Sequence, residues 1–374
     1  MMATIAVYWL LPARWRDYFL AILSLAFLVI YDWISAGLLV TLTAVSYVVA
    51  NRGKITTGRI LAAAALVIAV LGFYKARASG DPLEVIRDVA IPMGLSYYSF
   101  RIIHYLIERA RNTLPEHSFG DFICYLFFLP TILVGPIHRF GSFVADRREK
   151  TWEADKLSEG MERIVFGYFK ITVLGNYLLS GVAAQAIGTI DPAHQPLILY
   201  LEAVRGSLNL YMQFSGYSDI AIGFALMLGY RVMENFNWPF LKRNIAEFWR
   251  AWHMSLTGWS RDYIYMPTVG VTRSPIIGTF ASLLLIGVWH ELSVRYVIWG
   301  LYQAVGIVFV SQLGKVRRKL GFKPLKPGVP KTYLHVVSVL LTANYFFLGY
   351  VIIHQQTLGD ILRSYWVILF SWWL

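Results

Sequence analysis

Three stretches of this chain set proton-exchanging or charged side chains into otherwise apolar sequence. The first, "SPIIGTFASLLLIGVWHELSVRYVIWGLYQ", places His290 at the end of an apolar run that starts at Pro275. Fifteen helical residues span ~22 Å, against ~30 Å for a bilayer's hydrocarbon core. If Pro275 lies at one interface, His290 sits within the hydrophobic depth. An ionisable group there is a functional candidate; the alternative is a neutral histidine sharing hydrogen bonds in a helix bundle. Glu291 and Arg295 follow at a spacing that lets them pair on one helix face.

The second stretch is "EFWRAWHMSLTGWSRDYIYMP", residues 247–267. Read as one helix, it resolves into two stripes at spacings of three and four. Trp249, Trp252, Leu256, Trp259 and Tyr263 form an apolar face. Arg250, His253, Thr257 and Arg261 form a polar one, which a lipid-surrounded helix would not tolerate cheaply. The helix is therefore expected at the interface or along a water-containing cavity, and anchor and site both remain open. The third stretch, "QFSGYSDIAIGFALMLGYRVMENFNWPFL" (213–241), places Asp219 at the expected head of an apolar helix, as a cap or as an intramembrane polar site. Pro239 and the asparagines of "ENFNWPF" mark a turn.

Other chemistries lack their residues. No His-Glu-x-x-His pair, phosphate loop, dinucleotide fingerprint or G-x-S-x-G elbow occurs, so neither a metal site nor a serine nucleophile is expected. The single cysteine, Cys124, excludes an internal disulfide and reads as a small buried hydrophobe. His104, His138, His335 and His354 lie near span ends, and His117 and His194 in loops; these read as incidental.

The elements that must position these residues follow from composition. The chain is 57% hydrophobic and 15% charged, whereas soluble domains carry about 25% charged residues. This predicts an all-α polytopic membrane protein, one domain over 1–374, with ten to twelve membrane segments, some re-entrant or interfacial. Candidate spans are 18–31, 34–50, 60–74, 91–108, 121–137, 163–187, 197–214, 218–233, 276–290, 294–313, 333–353 and 358–374. The N-terminus lacks a signal peptide's basic region and cleavage site and reads as part of the first membrane segment. The net charge of +12 is concentrated in loops: "KVRRKLGFKPLKPGVPK" (315–331) carries seven basic residues and no acid, and "NRGKITTGR" (51–59) is a smaller example. Both suit cytoplasmic loops facing anionic lipid rather than nucleic acid. The charged segment 138–163 balances six basic against six acidic residues and reads as a surface helix or loop.

Set in order, "FSGYSDIAIG" (214–223), "ENFNWPFL" (234–241), the 247–267 stretch and "GVWHELSVRYVIWGLYQA" (287–304) resemble the membrane-bound O-acyltransferase (MBOAT) family. The likeness is to its bacterial branch of alginate O-acetylation and teichoic-acid D-alanylation proteins, with weaker echoes in "IPMGLSYYSFRIIHYLIE" (91–108) and "LVGPIHRF" (133–140). It covers about residues 90–305. The resemblance implies a helical bundle enclosing a tunnel, with the catalytic histidine deep inside at His290, preceded by Trp289. The family's second histidine corresponds to His253. The branch usually follows the catalytic histidine with glycine, where this chain has Glu291, a residue that would orient the imidazole or pair with Arg295.

The implied reaction moves an acyl group, acetyl in the first reading, from a cytoplasmic thioester (acetyl-CoA or an acyl-carrier protein, as co-substrate with no bound cofactor) to a hydroxyl of a cell-envelope or exported polysaccharide. His290 would be general base and His253 would hold a substrate or polarise the carbonyl. Arg250 and Arg261 would attract the donor's phosphates, with Asp219, Trp289 and Glu291 completing the substrate-binding set. The implied setting is multi-pass in a bacterial inner membrane, among membrane lipids and with a possible extracytoplasmic acyltransferase partner. D-alanyl transfer from a carrier protein to a teichoic-acid-like polymer is the second reading. Outside that enzyme class stand a lipid or polysaccharide transporter using His290 and Asp219 as a proton relay, and a non-catalytic anchoring subunit.

Overall fold

Residues 1–52, 56–78, 92–321 and 331–372 are described in the computed structural model, and among them only helices and turns occur, with no strand. Residues 53–55 and 322–330 of the two expected basic loops lie outside the described residues, as do residue 91 and residues 373–374 of the expected spans. Among the described residues, five helical stretches are long and apolar enough to cross a bilayer: Ala13–Asn51, Thr57–Ala76, Ala154–Gly188, Val294–Lys319 and Tyr333–His354. Pro275–His290 is a shorter apolar helix. The larger count expected from sequence includes such shorter stretches.

Contacts divide the chain into two compact units. The first comprises Met1–Tyr168 and Tyr217–Glu234. It holds α1 (Met2–Leu10), α2 (Ala13–Asn51), α3 (Thr57–Ala78), α4 (Leu95–Ala110), α5 (Phe119–Leu126), α6 (Phe140–Glu149) and nearly all of α7 (Ala154–Phe169). α2 covers two of the expected spans because it breaks at Asp32, whose backbone leaves the helical region. The Asp32 carboxylate accepts the Ser35 N–H at 3.0 Å, capping the second half as an N-cap does. The balanced charges of 138–163 are not all on the surface, contrary to the sequence reading. Lys150 Nζ lies 2.8 Å from the buried Asp17, and Arg147 pairs with Asp17 and Asp121. Buried charges persist only when paired in this way.

The second unit, Phe169–Gly216 and Asn235–Leu374, carries the candidate chemistry. It begins with a wide-turned π-helical stretch, Lys170–Ala183, and α8 (Ala184–Gly188). α9 (Gln195–Met227) follows, its part after Gly216 belonging to the first unit. Then come α10 (Ile245–Ala251), α11 (Met254–Ser260), a π turn at Arg261–Tyr265, α12 (Met266–Thr272), α13 (Pro275–His290), α14 (Val294–Lys319), α15 (Lys331–His354) and α16 (Leu358–Phe370).

Two sequence expectations change here. The separate spans 197–214 and 218–233 are one helix of 33 residues, so Asp219 stands inside α9 rather than at a helix head. Its carboxylate is held by Arg163 Nε at 3.1 Å, and the same guanidinium pairs with Glu234. With that charge neutralised, the helix has no need to end there. The stretch 247–267 is not one helix either: α10 ends at Ala251, Trp252 is extended, and His253 adopts left-handed backbone at φ 43°.

Candidate active site

The break at Trp252–His253 has a traceable cause. Asn244 opens α10 by accepting the Glu247 N–H at 2.9 Å and donating to the Glu247 carboxylate at 2.8 Å, a local capping pair. At the other end the strap around Asn235–Asn237 takes over the backbone groups that a continuous helix would pair with itself. The Asn237 N–H donates to the Ala251 carbonyl, and the Met254 N–H donates to the Asn235 carbonyl, each at 2.9 Å. The Ser255 N–H reaches Asn235 Oδ1 at 3.3 Å. Orphan groups at both helix ends are thereby satisfied, which offsets the ~1–3 kcal/mol cost of left-handed backbone at a non-glycine residue.

The consequence for the two stripes is a correction. Trp249, Trp252, Leu256, Trp259 and Tyr263 are all buried in protein, so the apolar face is core rather than a membrane anchor. Trp252 stacks on Phe248 with centroids 5.5 Å apart, and the Trp249 indole N–H donates to Gln303 Oε1 at 3.1 Å. The polar face does not survive as a face. His253 is 2% exposed, whereas Arg250 and Arg261 are exposed. Arg250 donates to its own helix carbonyl at Ala246, and Arg261 pairs with Asp262. The break at His253 turns its ring inward while the arginines on either side stay out.

His253 and His290 meet at one cavity of about 390 Å³, within the size range of small-molecule sites. Its aromatic walls include Phe214, Trp252, Tyr296 and Trp299, and α15 contributes Tyr350 and His354; His354 therefore belongs to the cavity that the sequence reading left it out of. α13 starts at Ser274–Pro275, where Ser274 Oγ accepts the Ile277 N–H, and ends on His290. Its approach to α14 depends on Gly287 and Gly300. A Cβ on Gly287 would collide with the Tyr296 carbonyl, and one on Gly300 would lie 2.7 Å from the Leu283 carbonyl. The His290 ring lies 5.8 Å from the rings of both Tyr296 and Trp299, and 4.6 Å from Trp289. Unlike His253, it is exposed.

His253 is fixed by Asn235. Its Nδ1 lies 3.1 Å from Asn235 Oδ1, which also accepts the Ser255 hydroxyl at 2.9 Å and the Ser255 N–H. An oxygen already receiving those donors is an acceptor, so the proton of His253 sits on Nδ1 and Nε2 carries a lone pair. That Nε2 is buried with no protein partner. Burial, with the nearby charge of His290 adding to it, holds His253 well below the ordinary histidine range. His253 is therefore a neutral acceptor. α10 and α11, which adjoin it, lie outside the five stretches long and apolar enough to cross a bilayer.

Glu291 pairs with Arg295 at 2.7 Å, and Arg295 in turn donates to the Gln355 carbonyl at 3.3 Å. Asp219 belongs to the first unit, where Arg163 pairs with it and with Glu234, and it is not among the residues lining this cavity. Sequence reasoning missed Asn235, taken as a turn former, and missed Asn209 and Gln213, which line the cavity from α9. The signal for the latter was available: two amides at i, i+4 in an apolar helix.

A family model described as MBOAT, membrane-bound O-acyltransferase family, matches residues 53–351. The probable alginate O-acetylase AlgI of Pseudomonas aeruginosa is 31% identical, covering 96% of this chain and 71% of that protein. The protein of the same name from Pseudomonas putida is 33% identical over 80% of this chain and 62% of its own. The teichoic acid D-alanyltransferase of Bacillus subtilis is 30% identical over 70% of this chain and 68% of its own. The chain spans between 52% and 71% of the length of the alginate O-acetylases it matches.

Proposed function

This chain belongs to the membrane-bound O-acyltransferase family, and from that membership we propose that it moves an acetyl group from a thioester to a hydroxyl of a cell-envelope or exported polysaccharide. The observation that carries the reading is the cavity itself, where an accessible His290 and a buried, neutral His253 share aromatic walls. In the reaction, an imidazole nitrogen of His290 takes the proton of the acceptor hydroxyl as its oxygen attacks the thioester carbonyl. The tetrahedral intermediate collapses, the C–S bond breaks, and the thiolate leaves with the proton returned by His290. Such a base contributes roughly 10²–10⁴-fold.

His253, protonated at Nδ1, accepts a substrate O–H or N–H. It does not polarise the carbonyl, since that would need a donor at Nε2. Trp289 packs beside His290, and Glu291 acts by pairing with Arg295. The donor is coenzyme A or a carrier protein's pantetheine on the cytoplasmic side, drawn by the exposed Arg250 and Arg261, and the expected protein partner is an extracytoplasmic acyltransferase. The membrane is a bacterial inner membrane.

Acetyl is favoured over alanyl by charge. A D-alanyl group carries an ammonium, and the residues described as lining the cavity include no aspartate or glutamate to receive it. The test is acyl transfer from labelled acetyl-CoA by the chain reconstituted in vesicles. His290→Ala should lower it at least ~10²-fold, and near-normal transfer would overturn the assignment.

A further inference from the structure

We propose that Asn209 and Gln213 are the acceptor-selecting residues, forming a neutral amide floor that binds a sugar through its hydroxyls rather than through any charge. The inference rests on the transferase reading and assigns the acceptor's side of the cavity to residues of α9. Gly206, Asn209 and Gln213 recur at spacings of three and four along that helix and line the cavity together. Gly206 makes room for Tyr350, whose ring a Cβ there would strike.

The two amides are seated in a prepared position. Gly175, in the π-helical stretch, leaves the space they occupy: a Cβ there would lie 2.5 Å from Gln213 Nε2 and 3.2 Å from Asn209 Oδ1. Gln213 is oriented by donating through Nε2 to Asn176 Oδ1 at 2.7 Å. Asn209 Oδ1 is buried with no protein hydrogen-bond donor, and so is His253 Nε2; both residues line the cavity. Two buried acceptors at one cavity call for a ligand with at least two donors, which a diol supplies and an apolar chain does not. The walls carry the rest of the argument. Phe214, Trp252, Tyr296 and Trp299 offer flat apolar faces for sugar C–H groups, and no lysine, arginine, aspartate or glutamate is among the described lining residues. A carboxylated or phosphorylated residue would find no lysine or arginine among the described lining residues, only the imidazoles of His290 and His354, and would enter with its charge poorly paired, at a desolvation cost.

The test uses the purified full chain in detergent, without donor, titrated calorimetrically with cellohexaose and with hexamannuronate as its carboxylated counterpart. Cellohexaose is expected to bind measurably and hexamannuronate at least tenfold more weakly. Asn209→Leu and Gln213→Leu should each weaken cellohexaose binding about tenfold, a loss of ~1.4 kcal/mol. Gly175→Ala, which keeps both amides and adds one methyl against them, should weaken it too, and reads the same site should a leucine variant fail to fold. In the transfer assay with cellohexaose as acceptor, the amide variants should raise the acceptor KM about tenfold and leave the donor KM within twofold, a split that general destabilisation would not produce. Absent cellohexaose binding, tighter hexamannuronate binding, or unchanged affinity in Gly175→Ala and the folded amide variants each overturns the inference. Asn209-dependent binding without any acyl transfer would leave the inference standing and sink the transferase reading. Transfer with an unchanged acceptor KM in Asn209→Leu would do the reverse.

Discussion

Replacing Asn235 by alanine should cost both stability and activity, through His253. Asn235 is fully buried, and its Oδ1 accepts from His253 Nδ1, the Ser255 N–H and the Ser255 hydroxyl. A buried donor left unsatisfied costs about 1–3 kcal/mol. The Ser255 hydroxyl can rotate toward another acceptor, but the backbone N–H and the His253 ring N–H cannot, and entering water would recover part of their loss. The expected destabilisation is therefore ~2–4 kcal/mol. The backbone strap remains in the variant, since the Met254 and Asn237 bonds use main-chain atoms, so the corner should still form. What is lost is the choice of tautomer, and with it the lone pair that His253 Nε2 presents. SDS-titration unfolding in mixed micelles gives the stability change, and transfer from labelled acetyl-CoA gives the functional one. An Asn235→Ala chain that unfolds with the wild type and transfers within twofold of it would refute the role given to this residue.

Other outcomes follow from the same geometry. Because burial holds His253 neutral, the unfolded chain binds a proton below about pH 6.5 that the folded chain refuses. This contribution to stability is complete above that pH and lost as pH falls, by up to ~1.4 kcal/mol per pH unit; unfolding measured from pH 7.5 to 5 should show the slope, and His253→Gln should flatten it. Gly300→Leu should drive a side chain into the α13 backbone, cost ~3 kcal/mol or more, and abolish transfer by displacing His290, read by unfolding and activity together. Glu291→Gly frees Arg295 from a partly exposed i, i+4 pair and should change unfolding stability by no more than ~0.5 kcal/mol; a loss of several kcal/mol would contradict that reading. The double variant Arg250→Gln/Arg261→Gln should raise the KM for acetyl-CoA several-fold and weaken its salt dependence while leaving the acceptor KM unchanged, as expected of exposed charges acting at a distance.

The class, the family and part of the candidate site's scaffold were legible in the linear sequence because their signals are local or compositional. The apolar excess required a membrane protein, and the ordered motifs from 214 to 304 pointed to the family. Ser274–Pro275 and the run up to His290 marked one helix, which the structure places at Pro275–His290. Helical periodicity failed where the decisive hydrogen bonds come from far along the chain. Nothing within 247–267 announces that Asn235, 18 residues before His253, and Asn237 will satisfy the facing ends of two short helices and so permit a break between them. That break put His253 inside and left Arg250 and Arg261 outside, although all three lie on one stripe of an ideal helix. It also gave the tryptophans protein neighbours instead of lipid. Asn209 and Gln213 likewise acquire meaning only where Gly175 leaves room for their amides and His253 shares their cavity. Residue types determined which chemistry the chain can carry, because ionisation and hydrogen bonding belong to side chains. Tertiary structure decided which of them face the cavity, because helix ends and buried polar groups are satisfied by whatever partners the fold brings near.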